Sequence, residues 1–69
     1  MLGSGMIMSV MREIDKAVQT ELEREQEGIL RRLRMLHQAI EQAQISEDAF
    51  DREEDVLLNR LDEIKRLRR

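Results

Sequence analysis

Apolar residues recur along this chain at helical spacing. From Ile7 they run through Met11, Ile14, Val18 and Leu22 at intervals of 4, 3, 4 and 4; after a gap at Glu25 they resume at Ile29, Leu33, Leu36, Ile40 and Ala43 at 4, 3, 4 and 3. Such a stripe lies along one face of a helix, and the spacing predicts a helix over about 6–44. The gap is the place where a bend would fall, because a charged stripe position is followed there by Gly28, and glycine costs a helix about 1 kcal/mol. The segment nonetheless reads as continuous. A second segment, from Glu47 to about residue 68, presents Phe50, Leu57, Leu61 and Ile64 in heptad register, widened by Leu58 and Leu67. Glu54 fills the heptad position left over.

Between the two segments lies a helix-start signal, Ile45-Ser46-Glu47-Asp48. Ser46 is a good N-cap, and the carboxylates behind it suit the exposed N–H groups and dipole of a first turn. The turn is therefore placed near 44–46 and Phe50 near the bend. The architecture read from the chain is all-α, a long helix followed by a second, antiparallel helix in a helical hairpin. Charge supports that orientation. Folding back near Ile45 sets position i roughly beside position 90 − i. Arg31, Arg32 and Arg34 then face Glu54 and Asp55, and Lys65, Arg66, Arg68 and Arg69 face Glu21, Glu23 and Glu25. Each such exposed pair contributes only roughly 0.2–1 kcal/mol, so the match selects register more than stability.

The same register leaves part of the first helix without cover. With the second helix ending near the level of Glu21, residues 6–20 overhang it by about four turns. The stripe Ile7, Val10, Met11, Ile14 and Val18, continued by Leu22, is the candidate partner interface. Ile29, Leu33, Leu36 and Ile40 are assigned to the hairpin core with Phe50, Leu57, Leu61 and Ile64. An apolar face of that length marks an interaction surface, and Met6, Met8 and Met11 suit an adaptable one. Self-association, giving a homo-oligomer, and a hetero-complex with a different partner both fit it.

Composition narrows the function classes. Sixty-nine residues make at most one domain, taken as a single unit over 6–69, whose core is marginal without oligomerisation. There is no cysteine for a disulfide framework or thiol chemistry, and the single aromatic, Phe50, offers no stacking platform. The uncharged run over 1–11 is far short of the ~20 residues of a membrane span, and it lacks the basic start of a secretory signal. The protein reads as cytoplasmic. Residues 1–5, with Gly3-Ser4-Gly5, are set apart as a flexible start or a vector-derived remnant.

No residue pattern points to catalysis. His37, the one histidine, has Glu41 at i+4, half of a metal site at best; without a second histidine or a cysteine it is a surface residue with a helical carboxylate neighbour. The acidic run from Glu47 to Asp55 lacks the alternating ligands and central glycine of a calcium loop. No serine, threonine or lysine has a base partner, and no glycine-rich loop is present to hold phosphate. The chain is expected to be no enzyme and to use neither cofactor nor metal. Its basic tail, Lys65-Arg66-Leu67-Arg68-Arg69, suits a helix C-terminus. The alternative, a tail that binds nucleic acid or anionic lipid, has a net charge of −3 against it. Nucleic acid is not an expected partner.

The stretch Ala39 to Leu61, and above all Ser46-Glu47-Asp48-Ala49-Phe50-Asp51-Arg52-Glu53-Glu54-Asp55-Val56-Leu57-Leu58-Asn59-Arg60-Leu61, resembles the signature of the gas vesicle protein G family. Weaker similarity reaches upstream through Val18-Gln19-Thr20-Glu21-Leu22 and Ile29-Leu30-Arg31-Arg32-Leu33, so that roughly 18–64 are covered. Departures are Glu23-Arg24, where the family has Tyr-Asp, Gln44, matched to its turn glycine, and residues 6–18, which stand where the family has a longer apolar N-terminal stretch. The resemblance implies an accessory protein in assembly of the gas-filled shell, associated with gas vesicles and acting through other accessory proteins of the gas vesicle protein F/L class. An Ile-Ser-Glu-x-x-Phe-Asp helix start is also similar to that of short helical-hairpin oligomerisation modules, the alternative reading.

Overall fold

The computed structural model describes the backbone of residues 2–68 and the side chains of residues 13–68. Two helices, α1 (Leu2–Glu41) and α2 (Glu47–Leu67), pack antiparallel, with no strand among the described residues. They form a rod with extents of 64 × 15 × 13 Å. Its length is set by α1, whose 40 residues span about 60 Å at 1.5 Å per residue.

α1 passes through Glu25–Gly28 without a break, as the stripe predicts. It takes in residues 2–5, which the sequence set apart, and it stops at Glu41 rather than near 44. The early stop is a backbone effect. Ala43 adopts φ 55°, in the left-handed region. The Gln44 N–H then donates to the Ala39 carbonyl at 2.8 Å and the Ala43 N–H to the Ile40 carbonyl at 3.1 Å, closing the last turn on itself. Gln44, matched to the family's turn glycine, is therefore not the left-handed residue.

Ser46, five residues after the end of α1, is the N-cap of α2. It is extended (φ −76°, ψ 158°), and its hydroxyl oxygen accepts the Ala49 N–H at 3.1 Å, with Glu47 and Asp48 in the first turn. Removing such a cap costs about 1 kcal/mol. α2 ends with Lys65 and Arg66 in its last turn. Arg68 is the cap, its N–H donating to the Ile64 carbonyl at 2.9 Å, so the helix stops just short of 68.

The packed centre lies at the end of the hairpin away from the turn. Leu22, Ile29, Leu61 and Ile64 are buried together, with Leu33 and Leu57 packed against them. Ile64 is the residue with no exposed surface at all. Leu36 is buried nearer the turn, whereas Ile40 and Phe50, also assigned to the core, are half-buried.

Two backbone substitutions test this description with opposite chemistry. At Gly28 an added Cβ would meet only Arg31 Nη2 at 3.8 Å, an ordinary contact. Gly28→Ala is expected to raise stability by about 0.5–1 kcal/mol. Ala43→Gly relieves a left-handed alanine, worth about 1–2 kcal/mol before the added chain entropy is subtracted, and is expected to be net stabilising. Urea unfolding followed by circular dichroism at fixed protein concentration measures both; a loss of stability at either site contradicts the geometry described.

Candidate functional site

The geometry that matters begins where α2 runs out. Gln19 Nε2 donates to the Leu67 carbonyl at 3.2 Å, which sets the end of α2 at the level of Gln19. Residues 2–18 of α1 project beyond it, about 25 Å of helix. On this projection Ile14 is 59% and Val18 49% exposed. The side chains of Ile7, Val10 and Met11, assigned to the same stripe, lie outside the described residues. Leu22 requires a correction, because it is buried against Leu61 and Ile64 and belongs to the hairpin core. α2 reaches just far enough to cover it. Val18 and Leu22, with Ala17 beside them, line a shallow groove running toward Glu25 and Arg60.

Both polar interruptions in the apolar stripes are answered across the hairpin. Glu25, the gap in α1, receives a fork from Arg60: Nε donates to Oε2 at 2.8 Å and Nη2 to Oε1 at 3.2 Å. Arg60 also lies 3.3 Å from Glu63 on its own helix. Its hydrogen bond to Glu25, opposed by desolvation and reinforced by the charges of Glu25 and Glu63, raises its pKa above the ordinary guanidinium value. Glu54, the gap in α2, lies 3.3 Å from His37 Nε2 and is partly shielded. The His37 ring meets Phe50 edge-on, with centroids 5.1 Å apart. Thus His37 meets Glu54 rather than Glu41. The antiparallel register applied to His37 points within one residue of Glu54.

Among the further ion pairs Arg68–Glu23 matches the register read from the sequence, whereas Arg32–Glu53, like Glu25–Arg60, lies five residues off it. Arg32 lies 3.8 Å from Glu53, and Arg68 lies 3.6 Å from Glu23 and donates to the side-chain oxygen of Gln26 at 2.7 Å. Arg66 turns instead to Asp62 on its own helix, at 3.8 Å. Two of the tail cations therefore have intramolecular partners. Near the turn two further shallow depressions share Arg32 and Glu53, one lined by Val56 (69% exposed) and the other by Met35 (62% exposed). Among the described residues, no group of three or more His, Cys, Asp or Glu side chains could hold a metal ion.

A family model described as Gas vesicle protein G matches residues 4–63. The chain belongs to the gas vesicle protein G family. It is thereby a gas vesicle protein, with its partners to be sought within the gas vesicle system. The match is longer than the resemblance read over 18–64 and takes in the projecting half of α1, so the overhang is part of the gas vesicle protein G unit. No curated protein and no solved structure matches the chain. No helix is long and apolar enough to cross a membrane among the described residues.

The Glu25–Arg60 fork can be weighed directly. A double-mutant cycle with Glu25→Ala and Arg60→Ala is expected to give a coupling of about 0.5–1 kcal/mol, the upper part of the range for an exposed pair, because the contact is bidentate. Coupling measured from unfolding midpoints should fall in high salt. A value of zero at low salt would show that the fork does not fix the register.

Proposed function

We propose that this chain is a non-enzymatic helical adaptor in gas vesicle assembly, working in the cytoplasm through protein–protein contacts. The observation that carries the proposal is the projecting α1 face, where Ile14 and Val18 stand exposed on a helix that α2 does not reach. Large apolar side chains in a row along a helix face are costly to leave in water and are covered by association. The hairpin supplies a small anchored end, and the projection supplies the association surface. Family membership supports the setting. The resemblance adds gas vesicle proteins of the F/L class as the accessory proteins that the assembled unit meets.

Deleting the gene in a gas-vesicle-forming host and scoring flotation tests this reading. Loss of buoyant cells, restored by the intact chain, is the expected result. A chain carrying Ile14→Glu and Val18→Glu should not restore it, although its circular dichroism remains that of a helical hairpin. Full flotation with the doubly substituted chain would move the working surface elsewhere, and flotation unaffected by deletion would remove the assembly role.

A further inference from the structure

The projecting face also carries the geometry of its own partner. We propose that it is covered by the same face of a second copy, the two α1 projections lying antiparallel about a dyad between positions 12 and 13. Beyond the end of α2 the stripe holds positions 7, 10, 11, 14 and 18, of which 7, 11, 14 and 18 fall at heptad spacing and Val10 at its edge; the next one, Leu22, is already buried beneath α2. Antiparallel pairing sets position 7 beside 18 and position 11 beside 14, so each of these four positions on one copy meets another of the four on the second copy.

The end of α2 limits this pairing at the right place. Position 6 of the second copy falls beside Gln19, the level at which Leu67 ends α2. The second helix therefore fills the uncovered stretch without competing for the face that α2 occupies. Residues 2–5 would run past that limit, and Gly3 and Gly5 make this the part of α1 that leaves the helix at least cost. A parallel pair fails the same test. Two helices sharing this face side by side would, continuing straight past Gln19, meet at the surface each α2 already covers, and α1 is unbroken through that point.

Charge permits the antiparallel arrangement. The positions flanking the stripe are Met8 and Asp15 on one side and Val10 and Ala17 on the other, a single charged residue among them, and Asp15 of one copy falls beside position 8 of the other. No like charges are forced together. A second copy also answers the small size of the hairpin core, since chains of this length commonly depend on association for stability. The inference rests on the projecting face being the association surface and is independent of the gas vesicle role.

The chain has no cysteine, so single-cysteine variants report pairing cleanly. Full-length Met11→Cys and Ile14→Cys chains, distinguished by a tag, are mixed and oxidised. The expected product is the crossed 11–14 disulfide, in excess of the 11–11 and 14–14 species, with a Leu30→Cys control staying uncrosslinked. Sedimentation equilibrium of the unsubstituted chain should give twice the chain mass. Val18→Glu places a charge at the covered face and is expected to weaken the dimer at least roughly 100-fold. Predominance of 11–11 and 14–14 disulfides would overturn the antiparallel pairing. A monomeric chain, or one whose face closes only on an added gas vesicle protein, would overturn the second copy as occupant. Flotation does not enter these readouts, so failure here and failure of the assembly role are told apart.

Discussion

The position of α2 along α1 is the constraint on which everything else depends, and it is set where each apolar stripe is interrupted by a carboxylate. Glu25 meets the Arg60 fork and Glu54 meets His37. Sliding α2 by one turn would set each carboxylate against apolar side chains and leave Arg60 without its bidentate partner, so the polar contacts select one alignment from several the leucines and isoleucines would accept. Ile64 is the only described residue buried without remainder in that alignment. Because α2 is 21 residues long and α1 is 40, the alignment also decides how much of α1 is left uncovered.

Much of this was legible in the chain. The 3.6-residue stripe, the Ser46 cap and the opposed charges were enough to give two antiparallel helices, their register and an overhang. What escaped has specific causes. The turn's left-handed residue is Ala43, and alanine, unlike glycine, carries no sequence mark of that conformation. Leu22 looks like any other stripe position, and whether it is core or surface depends on one turn more or less of α2. His37 was compared with its helical neighbour Glu41, when its partner lies on the other helix. The membership that places the chain among gas vesicle proteins was most legible from the turn through α2, whereas the projecting segment read only as a shortened form of the family's apolar N-terminal stretch.

Physically, the hairpin and the projection have different needs. The hairpin is closed by its own core and capped at the turn, whereas residues 2–18 form about five turns of helix beyond the end of α2. An isolated helix of that length is marginal in water, since propagation barely offsets nucleation. Pairing two projections would stabilise both helices at once and yield a rod on the order of 100 Å long. The two hairpins, each with its depressions beside Met35 and Val56, would lie at opposite ends. Such a shape suits an adaptor that holds two partners apart at a fixed distance.

Amide hydrogen exchange on the full-length protein reaches the central claim most directly, because it reads the projection and the hairpin separately in one experiment. Residues 6–18 should be protected in the associated protein and should lose that protection in Val18→Glu, while amides around Ile29 and Ile64 keep theirs. Equal protection of residues 6–18 in the associated protein and in the dissociated variant would contradict the account, since it would mean that the projecting helix needs no cover.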